Sequence, residues 1–379
     1  MRPRFGLYIH WPFCAAKCPY CDFNSHVARE IDHARWGRNL RAELARVASE
    51  APDHILTTIF FGGGTPSLMP ANLVAALIED AKQLWRASND LEVTLEANPT
   101  SIEAGRFRAF RHAGVNRVSI GVQALNNQDL RKLGRMHSAE EALHALEIAR
   151  ETFDRVSIDL IYARQDQSAQ DWEKELSQAI SLELDHLSLY QLTVEPGTDF
   201  AKRHKRGKLK GLPSEDLSIE LWDLTQEITK SAGLAAYETS NHARPGAQSR
   251  HNLLYWSGGD WAAIGPGAHG RITIDQARWA TETALAPAQW LRLVEETGSG
   301  ETFREKLTRA EEIDEAVLMG LRLHEGLDLT RMKGLGWHPD KASLKELSEL
   351  GYAEQTGNRL IVTDAGKPLL NAVISKLLA

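Results

Sequence analysis

Leu56-Thr-Thr-Ile-Phe-Phe-Gly-Gly-Gly-Thr-Pro66 begins as a β-branched and aromatic run and stops on three glycines and a proline. The run reads as a buried strand, and the glycines as a tight turn with bare backbone. An amphipathic stretch, Asn72 to Trp85, follows it. The same strand-then-helix phrase recurs on both sides: Phe5 to His10 before Ala34 to Ala48, and Leu91 to Glu96 before Ile102 to Ala113. It continues with Asn116 to Val122 before Ala139 to Thr152, Arg155 to Ile161 before Ala169 to Leu182, and then His186 to Leu192. This alternation is the sequence form of βαβ units around a parallel sheet. It predicts an α/β fold, either a six-unit partial barrel or an open doubly wound sheet. A full eight-unit barrel needs two more strands, for which Tyr237 to Ser240 and Ala262 to Thr273 are the remaining candidates.

The 379 residues allow one large α/β domain plus a satellite. With 42% apolar and 25% charged residues, the composition excludes disordered and fibrous classes. A net charge of −7 argues against a chain that coats nucleic acid. No apolar run reaches bilayer length, and Met1-Arg2-Pro3-Arg4 enters a strand at once, leaving no room for a signal peptide. The expected compartment is the cytoplasm.

Beyond residue 200 the alternation fades. Lys202 to Lys210 packs six Lys/Arg into nine residues, a pattern that usually marks a solvated loop or helix end. From Ala310 two helical stretches precede Lys341 to Leu350; a hairpin from Tyr352 to Thr363 turns at Gly357-Asn358, and a last helix follows Asp364. That order is winged-helix-like. The segment 310–379 carries 8 Lys/Arg against 11 Asp/Glu, so it reads as a packing or partner domain, not a DNA reader.

In parallel α/β folds reactive groups gather at the carboxyl ends of the strands. Here the first strand leads to the cysteines and the second to Gly62-Gly63-Gly64-Thr65. The third ends at Glu96, the fourth at Gly121 with Gln123 beyond it, while the fifth carries Asp159 and the sixth Tyr190-Gln191. Six such placements in succession predict one site.

All three cysteines, Cys14, Cys18 and Cys21, fall within eight residues. An odd, clustered set is not a disulfide framework; it points to a metal or redox centre. Structural zinc would need a fourth ligand, for which His10 and His26 are near. An iron–sulfur cubane normally takes four cysteines, so three would leave one iron open to an outside ligand.

Cys-x₃-Cys-x₂-Cys with Tyr20 before the third cysteine, followed by Gly-Gly-Gly-Thr-Pro, resembles the radical S-adenosylmethionine superfamily. Tyr8-Ile-His-Trp-Pro-Phe-Cys14, Glu96-Ala-Asn-Pro99, Ser119-Ile-Gly-Val-Gln123, Leu133-Gly-Arg-Met-His137 and Ile158-Asp-Leu-Ile-Tyr162 more closely resemble the oxygen-independent coproporphyrinogen oxidase family. The oxidases proper follow the third cysteine with x-Cys, where this chain has Asp22-Phe23. The chain also carries His251-Asn-Leu-Leu-Tyr255-Trp256, which matches the H-N-x-x-Y-W motif of HemW-type haem chaperones.

The resemblance implies a (β/α)₆ partial barrel over residues 1–200. It further implies a connecting region over 201–305 that carries the H-N-x-x-Y-W motif and a winged-helix-like domain over 306–379. It implies a 4Fe–4S cluster on Cys14, Cys18 and Cys21, and S-adenosylmethionine held by Tyr8, Tyr20, Gly63, Gly64, Thr65, Glu96, Gln123, Arg135 and Asp159. A carboxylate such as Asp159 suits a ribose diol, and Arg135 suits a carboxylate in a bidentate fork. Haem is the implied cargo, with His251 as iron ligand and Asn252, Tyr255 and Trp256 beside it. The implied partners are haem-accepting proteins, respiratory ones included, and an electron donor such as a flavodoxin or ferredoxin. The basic run adds a marginal, salt-sensitive contact with an anionic membrane surface or an acidic partner. The alternative function is a radical enzyme acting on a porphyrinogen or another small substrate. The chain departs from its relatives after Tyr162, where they read Gly-Leu-Pro-Gly-Gln and it reads Ala163-Arg-Gln-Asp-Gln167, so that loop's backbone is not expected to be the same.

Overall fold

A computed structural model describes residues 4–100 and 104–378. Six parallel strands lie side by side in chain order: β1 (Arg4–Trp11), β2 (Ile55–Gly63), β3 (Arg86–Ala97), β4 (Arg117–Gln123), β5 (Arg155–Tyr162) and β6 (His186–Gln191). Between them run α1 (His33–Glu50), α2 (Ala71–Leu84), α3 (Phe107–His112), α4 (Ala139–Thr152) and α5 (Ala169–Ser181). The helix expected from Ile102 lies partly outside the described residues. Ser138 and Ser168 start α4 and α5 with reciprocal capping boxes to Glu141 and Asp171, which satisfies amides the helices leave unpaired.

The six-unit partial barrel gains strands at both edges. Tyr237 to Ser240 is irregular; the strand there is β7 (Asn241–Ala243), antiparallel to β6. Ala262 to Thr273 is two strands, β8 (Asp260–Ile264) and β9 (His269–Ile274), divided at Gly265-Pro266-Gly267, where both glycines hold positive φ. β8 lies parallel to β1, with Ala262 opposite Leu7, as a seventh parallel strand. β9 turns back to β10 (Ala277–Thr283) and β11 (Glu301–Lys306) as an antiparallel extension. Two further helices, α6 (Asp199–Lys205) and α7 (Arg250–Trp256), matter below.

Alternation decides what faces where. Phe5, Leu7, Ile9 and Trp11 are fully buried in the main core, where the Trp11 ring meets Trp36 of α1 edge-on at 5.7 Å. Gly6, Tyr8 and His10 point the other way, into the barrel. The same rule sends Glu92, Thr94 and Glu96 of β3, Arg117 and Ser119 of β4, Ser157 and Asp159 of β5, and His186 and Ser188 of β6 inward. Between them Val93, Leu95, Val118, Ile120, Ile158, Leu187 and Leu189 join the apolar core outside. Register aligns these inward groups in layers, with Glu96 opposite Ser119, Ser119 opposite Ser157, and Asp159 opposite Ser188. The lumen is therefore polar, unlike the apolar filling of an ordinary parallel barrel.

The tail has its own core of Val317, Met332, Leu347, Leu360, Val373 and neighbours. Helices Arg309–Gly320, Leu329–Gly334 and Lys341–Glu349 precede a hairpin of Ala353–Thr356 and Arg359–Val362, and Leu370–Leu378 closes the chain. Leu327–Asp328 adds a third strand beside the second hairpin strand, completing a winged-helix-like domain. Among the described residues no helix is long and apolar enough to cross a membrane.

Candidate functional site

At the carboxyl ends of the strands opens a cavity of about 380 Å³. It is lined by Cys14, Cys18, Cys21, Tyr20, Gly63, Gly64, Thr65, Glu96, Gln123, Arg135 and Asp159, eleven residues expected from sequence. Tyr8 is not on its wall. The Tyr8 ring lies within the lumen, and its hydroxyl bonds His10 Nδ1 at 3.0 Å.

The glycines are there because the cysteine loop lies directly on them. A Cβ on Gly64 would sit 2.8 Å from the Phe13 carbonyl, and Gly63, at φ 110°, would drive one into the His10 ring. Gly64 N–H donates to Trp11 O at 2.7 Å and Thr65 N–H to Phe13 O at 2.9 Å, which fixes the loop to the second strand end. Glu96 accepts the Gly63 N–H at 3.2 Å.

A ring of side chains joins two of the thiols. Thr65 donates its hydroxyl to Cys14 Sγ at 3.3 Å and accepts from Asn98 Nδ2 at 3.2 Å. Asn98 Oδ1 accepts from Arg135 Nη2 at 2.7 Å, and Arg135 Nη1 donates to Cys18 Sγ at 3.3 Å. Arg135 Nη2 also reaches Gly121 O at 2.9 Å. Asn98 is a site residue beyond those expected from sequence; its place two residues past Glu96, at the third strand end, is the signal for it. Among the described residues no three His, Cys, Asp or Glu side chains close on a single-ion site. The three thiols line one cavity, an arrangement with room for a multi-iron cluster.

Burial governs the electrostatics. It lifts the Glu96 carboxyl to about 8, helped by the nearby Asp159 charge. Asp159 is also raised by burial, against the pull of hydrogen bonds from Ser188 and Ser119. The Ser119 hydroxyl donates to Asp159 at 3.0 Å and meets Ser157 at 2.9 Å; Ser157 in turn accepts from Arg117 at 3.0 Å. Two buried carboxyls at one end of a cavity suit a cationic ligand with hydroxyl groups. Burial raises the Cys14 and Cys21 thiols, a penalty that bound metal removes by taking the proton's place.

The divergent loop takes up left-handed backbone without glycine. Ala163 and Asp166 hold φ of 57° and 60°, the left-handed region that favours glycine. Arg164 between them is buried, bonding Asp129 at 2.8 Å and also Glu175 and the Ile161 carbonyl. Gln123 also lies at positive φ, 70°, which turns the end of β4 toward the cavity.

The H-N-x-x-Y-W residues sit elsewhere. α7 closes the amino-terminal mouth of the barrel, where Glu92 accepts the Arg250 and His251 N–H groups at 2.9 and 3.3 Å. His251 is 1% exposed, with Nδ1 on Thr58 Oγ1 at 2.8 Å and Nε2 on the Tyr255 hydroxyl at 2.6 Å. Phe60 stacks on it at 5.1 Å, and burial drops its pKa to about 3. In this conformation both ring nitrogens have partners, and the imidazole is part of a plug in the mouth of the barrel. Asn252 reaches the Tyr237 hydroxyl at 3.5 Å, Tyr255 packs on Trp261 at 4.5 Å, and Trp256 ends the helix half-buried.

Residues 8–179 match the Radical SAM superfamily and residues 307–369 the HemN C-terminal domain. The heme chaperone HemW of Escherichia coli is 35% identical over 383 residues, covering 100% of this chain and 99% of that protein. HemW of Mycobacterium tuberculosis H37Rv is 36% identical over 378 residues, covering 99% and 95%. The mitochondrial radical S-adenosyl methionine domain-containing protein 1 of Danio rerio is 39% identical over 327 residues, covering 85% and 73%. Among solved structures, the Escherichia coli coproporphyrinogen III oxidase HemN superposes with a TM-score of 0.84 over 99% of this chain and 90% of that one; at 23% identity it speaks for the fold. Barrel, three-cysteine cavity, tail and end-to-end identity agree: the chain belongs to the HemW family of radical SAM proteins.

Proposed function

We propose that the protein is a haem chaperone: it holds a 4Fe–4S cluster and S-adenosylmethionine in the cavity, binds haem as cargo, and passes it in the cytoplasm to acceptor haemoproteins. The observation that carries this reading is its end-to-end likeness to chaperones of that name, joined to Phe23 where the oxidases keep a further cysteine. Phe23 is on the cavity wall and 58% exposed, an apolar ring at the mouth of the site.

When bound, such a cluster supplies single-electron chemistry and one iron open to a chelating amino-acid group. Cys14, Cys18 and Cys21 would hold it, with Thr65 and Arg135 donating hydrogen bonds to two of the sulfurs. A ligand ammonium donates hydrogen bonds, so at Gly63, Gly64 and Thr65 it would be met by oxygens. Asp159 and Glu96 suit a diol and a cation; Gln123, Tyr20 and, from within the lumen, Tyr8 complete the surround. Arg135 already spends both terminal nitrogens on Cys18, Asn98 and Gly121, so a fork around a carboxylate would require those bonds to exchange.

We assign His251 as the haem-iron ligand, reached when α7 withdraws and Tyr255 releases Nε2. Anaerobic reconstitution followed by haem titration and a coproporphyrinogen III decarboxylation assay on one sample tests the reading. Haem bound without decarboxylation is expected, and His251→Ala weakens binding at least about tenfold. Decarboxylation without haem binding would overturn the chaperone reading; unchanged affinity in His251→Ala would remove only the ligand assignment.

A further inference from the structure

The basic run is tied to the cysteine loop. Phe200 of α6 donates its N–H to the Pro19 carbonyl at 2.8 Å, and its ring meets Tyr20 edge-on at 6.3 Å. Phe200 is 1% exposed, while Pro19 and Tyr20 are the two residues between Cys18 and Cys21. From this anchor the chain passes outward through Lys202, Arg203, Lys205, Arg206, Lys208 and Lys210. All six are exposed. Beyond the helix the segment is pinned to the divergent loop: Asp166 N–H donates to Gly211 O at 2.6 Å, and Gln165 Nε2 to Lys210 O at 2.5 Å.

Favourable charge on the helix C-terminus accounts for part of the run, since cations in a last turn offset the dipole. Asp199 balances Lys202 and Arg203 at 3.4 and 3.7 Å. Neither effect reaches Arg206, Lys208 or Lys210, and Lys205 shares only the first. Among the described residues Lys205, Arg206, Lys208 and Lys210 have no ion-pair partner, on a chain whose net charge is −7. The one apolar residue of the run, Leu209, is buried, so the ridge offers lipid no side chain to insert. An acidic protein surface fits it better than a membrane does.

We propose that this ridge docks an acidic one-electron carrier, a reduced flavin or iron–sulfur protein, beside the centre held by Cys14, Cys18 and Cys21. The inference rests on the cluster reading above. One electron leaves the carrier, which is oxidised by one, and the centre is reduced by one; no atom moves. Its route inward crosses a single hydrogen bond, Phe200 to Pro19, and then the peptide link to Cys18. The cations steer the encounter, an effect that falls steeply with salt.

The test uses full-length reconstituted protein and reduced flavodoxin, with bleaching of the cluster absorbance followed by stopped flow across ionic strengths. Lys205→Glu with Arg206→Glu and Lys208→Glu is expected to slow reduction about tenfold or more at low salt and to flatten the salt dependence. Reduction by dithionite should be unchanged. A control of equal charge change, Arg108→Glu with Lys333→Glu and Lys341→Glu, should stay within about twofold of wild type. Flavodoxin affinity for the cluster-free protein should fall with the ridge variant as well. Equal rates and salt slopes on an assembled cluster would overturn the proposal. So would loss of binding to phosphatidylglycerol vesicles with flavodoxin reduction unaffected, which would give the ridge to lipid. Failure of intact protein to assemble a cluster would instead overturn the reading of the cysteines, and the electron route with it.

Discussion

Arg164 is a buried cation in the divergent loop, held by two carboxylates. Asp129 and Glu175 flank the guanidinium; Glu175 also accepts the Leu125 N–H at 2.6 Å, two residues from Gln123. Arg164→Leu would leave Glu175 without a counter-charge and Asp129 with Lys132 alone, at 3.9 Å. Removing one partner of a buried pair costs about 3–5 kcal/mol. The unfolding free energy from denaturant melts should fall by that amount, and Arg164→Leu with Glu175→Gln should recover part of it; an unchanged free energy in the single variant would show the triad contributes nothing. The sequence announced that this loop differed, because its glycines were missing. It could not show that Ala163 and Asp166 would adopt glycine-like φ anyway, since that depends on contacts from Asp129, Glu175 and Gly211 far along the chain. Cys14, Cys18 and Cys21 were legible for the opposite reason: their chemistry is local, and their spacing states it.

Among the elements, α7 is the one whose role changed most between sequence and structure. Its residues were read from a motif, while its position inside the mouth of the barrel comes from Thr58, Glu92 and Phe60 on other strands. A neutral His251 gives this plug a pH signature. Its folded pKa near 3 lies below the free value of 6.5, so between those limits the unfolded chain binds more protons. The contribution is therefore intact above about pH 6.5 and is lost as pH falls toward 3. At pH 5 the loss is about 2 kcal/mol, from 1.5 units at 1.36 kcal/mol each. Buried His242 and His137, both near 4, act in the same direction, whereas Glu43, lifted by burial to about 7, acts oppositely. The informative quantity is thus a difference. Wild type should lose about 2 kcal/mol more than His251→Gln between pH 7.5 and 5 in urea melts, and parallel pH profiles would refute a buried neutral imidazole.

Across the whole molecule, the tail's connection to the barrel assigns it a task that its sequence did not suggest. An acidic winged helix was legible from hairpin and helix order, and its charge argued against DNA; what it touches was not, because the contacts fall between segments 44 to 74 residues apart. Arg331 reaches from the tail to donate to Ser257 O at 2.5 Å and Gly258 O at 2.9 Å, the carbonyls just past the end of α7. Arg271 of β9 grips Glu315 of the tail at 2.6 to 3.1 Å. The first contact places a cation on the negative end of the plug helix; the second holds the domain that carries the cation. The tail should therefore latch α7, and with it the His251 residue that haem binding would have to expose. Hydrogen bonds from a charged donor contribute about 1.5–3 kcal/mol, equivalent to roughly 10- to 100-fold in a local opening equilibrium. Arg331→Ala should speed amide exchange of residues 251–259 by that factor and leave β2 through β5 protected as before. It should also accelerate haem uptake if plug opening limits it. Exchange that quickens equally across the barrel would mean Arg331 contributes only global stability; exchange that does not quicken at all would leave the latch without support.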